Sequence, residues 1–104
     1  MPRFTRMVHR SDANTDTIVK ALRAIGASVE YLGGKGIPDL LVAWGGLNFL
    51  LEVKSGNKQL NDDQVLWHAR WKGQVAIVRT PADAFRAIGF DAAIAEQERS
   101  LAEK

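Results

Sequence analysis

Two acidic residues in the middle of the chain stand within strongly apolar sequence. Asp39 follows Pro38, and Glu52 begins a triplet that ends at Lys54. Because side chains alternate between the faces of a strand, Glu52 and Lys54 would share one face and Val53 would point to the other. Carboxylate oxygens suit Mg²⁺, and a lysine beside them can hold a water molecule or stabilise charge on a phosphate. The spacing therefore predicts metal-assisted chemistry.

A hairpin is predicted to bring the two acids together. Two apolar runs of β type flank Gly45-Gly46, which is typical of a two-residue turn. That turn sets Asp39 directly across from Glu52, with Cβ atoms ~4.5–5.5 Å apart. At about 5 Å and an effective dielectric of about 20, the charges repel by roughly 3 kcal/mol, which a divalent cation would relieve. Two alternatives stay open. The acids could lie on a solvated face with Lys54 as ion-pair partner, or a longer turn could offset them by one position.

The elements around this hairpin predict an α/β domain. A first helix is capped by Asn14 or Thr15 and ends at Gly26, and a capping box from Asn61 to Gln64 begins a second. The order α-β-β-β-α-β-α predicts a single-domain mixed β-sheet flanked by helices. The predicted elements after the first helix are a strand at 28–32, strands at 39–44 and 47–54, a helix at 61–72, a strand at 75–78 and a helix at 80–89.

Composition narrows the chemistry that this domain can perform. The 104 residues include 14 Lys and Arg against 12 Asp and Glu, a formal charge of +2, so bulk basicity would not hold nucleic acid. The absence of cysteine excludes disulfides, thiolate zinc sites and cysteine nucleophiles, and two histidines make a multi-histidine site unattractive. No apolar run reaches the ~18–20 residues that span a bilayer, and no signal segment is recognisable. We expect a cytoplasmic protein that uses carboxylates, lysine, hydroxyls or amides with a hard metal.

Three regions are predicted along the chain. Residues 1–12 form a basic tail, residues 13–90 form the domain, and residues 91–104 form an alanine-rich helical extension. The extension holds four acids and two bases. The rest of the chain is therefore more basic than the overall charge suggests.

The sequence resembles the PD-(D/E)XK nuclease superfamily, and in particular its small VRR-NUC and Holliday-junction-resolvase-like branch, which is common in phages. The similarity covers about residues 10–90 and includes the element order. It implies a restriction-endonuclease-like core and a Mg²⁺- or Mn²⁺-dependent endonuclease that hydrolyses DNA, with selectivity for branched or junction structures. The residues that carry the resemblance are Gly36-Ile37-Pro38-Asp39, Leu51-Glu52-Val53-Lys54 and Gln64.

The resemblance also implies a role for each residue of the motif. Asp39 and Glu52 would bind the metal together with the backbone carbonyl of Val53. Lys54 would position the attacking water, and Gln64 would lie near the scissile phosphate. The setting would be the cytoplasm of a bacterium or a phage-infected host, and the protein would act as a homodimer.

Two positions keep an alternative reading. Such nucleases often carry a further acid on the first helix, where Thr17 stands here, with Asp16 beside it and Asp12 upstream. Asp16 could join the metal site, or it could simply interact with the dipole of the helix N-terminus. Gln64 could assist at the site, or it could only reach back to the Asn61 amide in the capping box.

DNA contacts are expected from basic residues outside the motif, namely Arg10, Lys35 and Lys58. Lys35 is the strongest candidate, because the neighbouring glycines allow backbone amides to approach a phosphate closely. Trp67 and Trp71 could stack on bases, although packing on the sheet or at a dimer interface is the commoner use of this spacing.

Two rival functions remain. A catalytically weak or inactive DNA-binding or assembly module would retain the fold, and the displaced acid on the first helix favours it. A metal-dependent phosphohydrolase acting on nucleotides is less attractive, because no phosphate-binding P-loop motif is present.

Overall fold

A computed structural model describes residues 12–90 of the chain. It confirms the α/β class and the predicted order of elements, with four strands in one mixed sheet. The predicted helix at 91–104 lies outside the described residues, as does the predicted tail except for its last residue. The elements are α1 (Ala13–Ala24), β1 (Ser28–Tyr31), β2 (Leu40–Trp44), β3 (Leu47–Val53), α2 (Asp62–Arg70), β4 (Ala76–Val78) and α3 (Pro81–Ala87).

The sheet has the order β1-β2-β3-β4. The first three strands are antiparallel neighbours, and β4 runs parallel to β3 after a connection that contains α2. Leu47 pairs with Trp44 across the β2–β3 hairpin, which confirms the two-residue turn. Gly45 and Gly46 have φ values of 63° and 82°, as a type I′ turn requires at both central positions.

The start of α1 differs from the prediction. Its N-cap is Asp12, whose side chain accepts a hydrogen bond from the Thr15 amide at 2.9 Å. Asn14, a predicted cap, lies inside the helix and donates instead to the carbonyls of Lys54 and Arg79 at 3.2 and 3.1 Å. Sequence alone could not separate these positions, because both residue types favour the cap and the choice depends on tertiary bonds.

The other helix starts agree with the sequence. α2 has the complete capping box of Asn61 and Gln64, and α3 has Thr80 as N-cap with Pro81 in its first turn. α2 ends at Arg70, two residues before the predicted end, because its C-cap Trp71 adopts an extended backbone.

The two faces of the sheet have different environments. One, here called the core face, packs against α1 and α3 and contains the main apolar cluster. The opposite face, here called the open face, is defined by Leu41, Asn48, Leu50, Glu52 and Ile77, and α2 lies over its Glu52 end. The fully buried residues of the core face and its helices include Ile18, Leu22, Leu40, Val42, Leu51 and Ala84. No helix within residues 12–90 is long and apolar enough to cross a membrane.

Candidate functional site

Glu52 is a carboxyl group buried on the open face near the end of β3. Its exposed fraction is 1%, and it pairs with Ile77 of the parallel strand. Leu40 pairs with Leu51 in the hairpin, so continuing the register by one residue sets Asp39 opposite Glu52. The structure therefore supports the facing acids that the two-residue turn predicted.

Asp39 is held at the point where β2 ends. Its Oδ2 accepts a hydrogen bond from the Val53 amide at 2.8 Å, in the place where a strand partner would accept one. Because the N–H and C=O of a strand residue point to the same side, the Val53 carbonyl is also directed to the side of Asp39. The three groups that the resemblance implies as metal ligands thus gather at one end of the hairpin.

Lys54 and Gln64 form a hydrogen-bonded ring with Glu52. The Lys54 ammonium donates to Gln64 Oε1 at 2.8 Å and lies 3.6 Å from Glu52 Oε2. Gln64 Nε2 donates to that same carboxylate oxygen at 3.0 Å. We call Glu52, Lys54 and Gln64 the clamp.

Gln64 serves the helix cap and the clamp at the same time. Its Oε1 accepts from the Asn61 amide at 2.9 Å, and its own amide donates to Asn61 Oδ1 at 2.9 Å. The capping bonds and the bonds to Lys54 and Glu52 therefore coexist in one conformation. Because Oε1 accepts from both Asn61 and Lys54, the start of α2 fixes where the ammonium of Lys54 lies.

The electrostatics of Glu52 differ from those of an ordinary glutamate. Burial raises the pKa of Glu52 to about 8, the nearby carboxylate of Asp39 adds to the increase, and Lys54 opposes it. A carboxylate in this position needs more positive charge than Lys54 supplies if it is to be ionised at neutral pH.

The residues present fit a hard divalent cation. Glu52 Oε1 is buried and has no hydrogen-bond partner among residues 12–90. Two opposed carboxylates and a backbone carbonyl are oxygen donors, and Mg²⁺ is commonly held by one or two carboxylates with water completing its shell. In this described part of the chain, however, no group of three acidic, histidine or cysteine side chains is placed to hold a metal.

The acids of the first helix lie apart from this pair. The Asp16 carboxylate accepts a hydrogen bond from the Tyr31 hydroxyl at 2.8 Å, which holds it towards β1. Asp12 caps α1 through Thr15, and the Thr17 hydroxyl bonds back to the helix backbone. The structure does not bring Asp16 or Asp12 to Asp39 and Glu52.

Two of the basic residues expected at DNA, Lys35 and Lys58, are exposed. Lys35 lies 3.9 Å from Asp63, at the N-terminal turn of α2. Gly36 has a φ of 81°, and a Cβ there would come within 2.8 Å of the Asp63 carbonyl, so the close approach allowed by this glycine is to α2. Lys58 lies in an exposed loop whose carbonyls accept from Arg79. Arg10 lies outside the described residues.

Trp67 of α2 and its C-cap residue Trp71 stack on each other but differ in exposure. Trp67 is 9% exposed and stacks on Trp71, with centroids 4.7 Å apart and 19° between planes, whereas Trp71 is 43% exposed. His68 is half-buried beside Trp67, and burial, with the charge of Lys54, lowers its pKa.

Asn14 is a site-supporting residue that the sequence did not identify in that role. By donating to the carbonyls of Lys54 and Arg79, it ties the segments that leave β3 and β4 to the start of α1. A polar residue in a first helical turn is too common to reveal such a bond.

Comparison with known proteins adds no relative. No family model, curated protein or solved structure matches this chain.

Proposed function

We propose that the chain is a Mg²⁺- or Mn²⁺-dependent endonuclease that hydrolyses phosphodiester bonds in DNA. The observation that carries the proposal is the buried Glu52 carboxyl, opposed to Asp39, with one oxygen unpartnered and the other held by the clamp. Burying a carboxylate beside another is unfavourable, and a purely structural strand pair would be better served by apolar residues. The cost is understandable where the oxygens serve as metal ligands.

The side chains divide the work of hydrolysis. A bound divalent cation would neutralise the acids and polarise both water and phosphate oxygen. Asp39 and Glu52 would hold the ion, with the Val53 carbonyl on the same side. The ammonium of Lys54 lies beside Glu52 and would orient the attacking water or stabilise charge on the phosphate. Gln64 fixes the Lys54 ammonium through its Oε1.

The proposal includes the family and setting that the sequence resemblance implies. The chain would belong to the PD-(D/E)XK nucleases, contact DNA mainly through phosphates, act as a homodimer and work in the cytoplasm of a bacterium or a phage-infected host. A dimer would present two sites, which suits a branched substrate with two strands to cut.

A cleavage assay tests the proposal. Purified protein is incubated with supercoiled, single-stranded and four-way-junction DNA in Mg²⁺, Mn²⁺ or EDTA. Cleavage is expected with either metal and not with EDTA, and Glu52→Gln should abolish it. Glu30→Gln is the matched control, because Glu30 is an exposed acid on β1. This variant should cleave DNA at the wild-type rate. Absence of metal-dependent cleavage on every substrate, or equal cutting by Glu52→Gln, would refute the enzyme.

A non-catalytic DNA-binding module is the second candidate. The observation that favours it is the placement of Asp16 and Asp12 away from the opposed acids, which leaves the pair without a third carboxylate in the described region. Junction binding by the wild type without cleavage in either metal would support this module over the nuclease.

A further inference from the structure

A surface pocket of about 250 Å³ lies on the open face, away from the acids. Its walls come from the middle of the hairpin and from the segment that follows α2. The lining residues are Leu41, Asn48, Phe49, Leu50, Trp71 and Gln74.

The pocket contains an exposed aromatic ring in a fixed orientation. Trp71 stacks on the buried Trp67, and its Nε1 donates to the Gln74 carbonyl at 3.0 Å. The ring is nevertheless 43% exposed. An indole that is already immobilised gives a stacking partner a flat surface at little further entropic cost.

The polar groups around the pocket differ in whether they already bond to the protein. The side chain of Gln74 is used by the sheet, because it accepts from the Leu50 amide at 2.6 Å and donates to the Leu50 carbonyl at 3.2 Å. Asn48 is exposed at the rim, where its amide can both donate and accept. Arg70 and Lys72 flank Trp71 in sequence, and both are exposed. Aromatic faces flanked by cations are typical of surfaces that bind single-stranded nucleic acid.

Asn48 and Leu50 of the pocket lie on the same face of β3 as Glu52. Leu50 and Asn48 precede Glu52 by two and four residues, which corresponds to about 7 and 14 Å along a strand. Glu52 is buried beneath α2, whose Trp67 is also buried and stacks on Trp71. A DNA strand with a phosphate at the Asp39 end of the hairpin would therefore pass along the side of α2 to bring a nearby nucleotide over the pocket. Inside a duplex, the base of that nucleotide could not leave its stack without an unpairing cost.

We infer that the pocket receives one unstacked nucleobase of the DNA strand whose phosphate lies at Asp39 and Glu52. Trp71 stacks on the base, Asn48 contacts its edge, and Arg70 and Lys72 contact the adjoining phosphates. The substrate class is then DNA with unpaired bases, such as single strands, flaps and open junctions. The inference rests on the proposed function.

The test uses fluorescence, so its readout does not require cleavage. 2-Aminopurine is placed at successive positions of a single-stranded oligonucleotide, and binding to the full chain is followed in EDTA. Quenching is expected at one position, and Trp71→Leu should abolish it and weaken single-strand binding about 10-fold or more. Trp71→Phe should restore quenching, because a phenyl ring stacks and leucine does not.

Controls separate stacking from a loss of structure. Leu66→Ala removes an exposed apolar side chain of α2 outside the pocket and should bind and quench like the wild type. Duplex affinity and the dependence of binding on salt should stay unchanged in Trp71→Leu, because these report phosphate contacts.

The outcomes distinguish this inference from the proposed nuclease. Cleavage by the wild type with identical quenching in Trp71→Leu would overturn the base pocket and leave the nuclease standing. Position-specific quenching that requires an aromatic residue 71, without cleavage in any metal, would support the pocket and refute the nuclease. If Trp71→Leu and Trp71→Phe bind single strands and quench equally, residue 71 only packs, and the inference is also overturned.

Discussion

Leu51 and Glu52 are adjacent in β3 and almost equally hidden from solvent, yet they lie on opposite faces of the sheet. Leu51 belongs to the apolar cluster beneath α1 and α3, where burial stabilises the fold. Glu52 lies in the clamp beneath α2, where burial opposes ionisation. The comparison shows that burial stabilises the fold on one face of β3 and opposes ionisation on the other, a single residue further along the strand.

Truncating the core face should produce the largest loss of stability. Leu51→Ala is expected to lower the free energy of unfolding by about 2–5 kcal/mol, because it leaves a cavity among fully buried side chains. Urea denaturation in EDTA at pH 8 measures the change, with Leu66→Ala as an exposed control. A loss below about 1 kcal/mol would show that the two faces do not differ in this way.

Removing the buried charge of Glu52 should instead raise the stability of the metal-free protein. Since the pKa of Glu52 is near 4.5 unfolded and about 8 folded, the native protein binds the extra proton between these values. Its contribution to stability therefore falls as pH rises from about 4.5 to about 8 in metal-free protein. Glu52→Gln should unfold like the wild type below pH 4.5 and be more stable by about 4–5 kcal/mol above pH 8.

The loss of stability at low pH provides the control for the titration of Glu52. Hydrogen bonds from the backbone lower the pKa of Asp12 and of Asp83 below 3.8. Their stabilising contribution is present above that value and is lost as pH falls through the folded pKa. Denaturation curves recorded from pH 2 to 9 should show both losses in the wild type and only the acidic one in Glu52→Gln. A gap between the two proteins that does not grow with pH would contradict the raised pKa.

Removing the ammonium of the clamp should affect catalysis more than folding. Lys54→Met keeps the length of the side chain but removes the charge beside Glu52. Cleavage is expected to fall about 100-fold or more, since one preorganised electrostatic donor commonly has an effect of this size. Single-turnover cleavage in saturating Mg²⁺ measures it, and Lys20→Met on the exposed side of α1 is the control. Retention of more than a tenth of the rate would exclude Lys54 from the chemical step.

The two helix starts should give the smallest and most selective contrast. Gln64 and Asp83 both occupy the third helical position and bond back to the preceding turn, but only Gln64 reaches the clamp. Either substitution by alanine should cost about 1 kcal/mol of stability. Gln64→Ala should also slow cleavage about 10-fold, whereas Asp83→Ala should not. Equal cleavage by both variants would show that Gln64 is only a cap.

Much of this arrangement could be predicted from local sequence rules. The two glycines of the turn fixed the hairpin register, and alternation along the strand placed Glu52 and Lys54 on one face. The choice between Asp12 and Asn14 as helix cap could not be predicted, because Asn14 is held by carbonyls far away in sequence. The direction of Asp16 depends on Tyr31 in the same way.

The contacts of Gln64 could be predicted from the sequence only in part. The capping box was evident from residue spacing, but the bonds from Gln64 to Lys54 and Glu52 depend on how α2 lies over the sheet. Local sequence rules therefore identified each residue of the clamp, whereas the hydrogen bonds between them depend on tertiary packing.

The parallel pairing of β3 with β4 has a consequence for the order of folding. The hairpin that opposes Asp39 and Glu52 closes over a two-residue turn, whereas β4 can join only after the segment containing α2 has been folded back. Contacts of short sequence separation form at lower entropic cost. We expect the acidic pair to assemble early, before Gln64 arrives. If the pair binds a divalent cation as proposed, the cation should therefore raise the refolding rate.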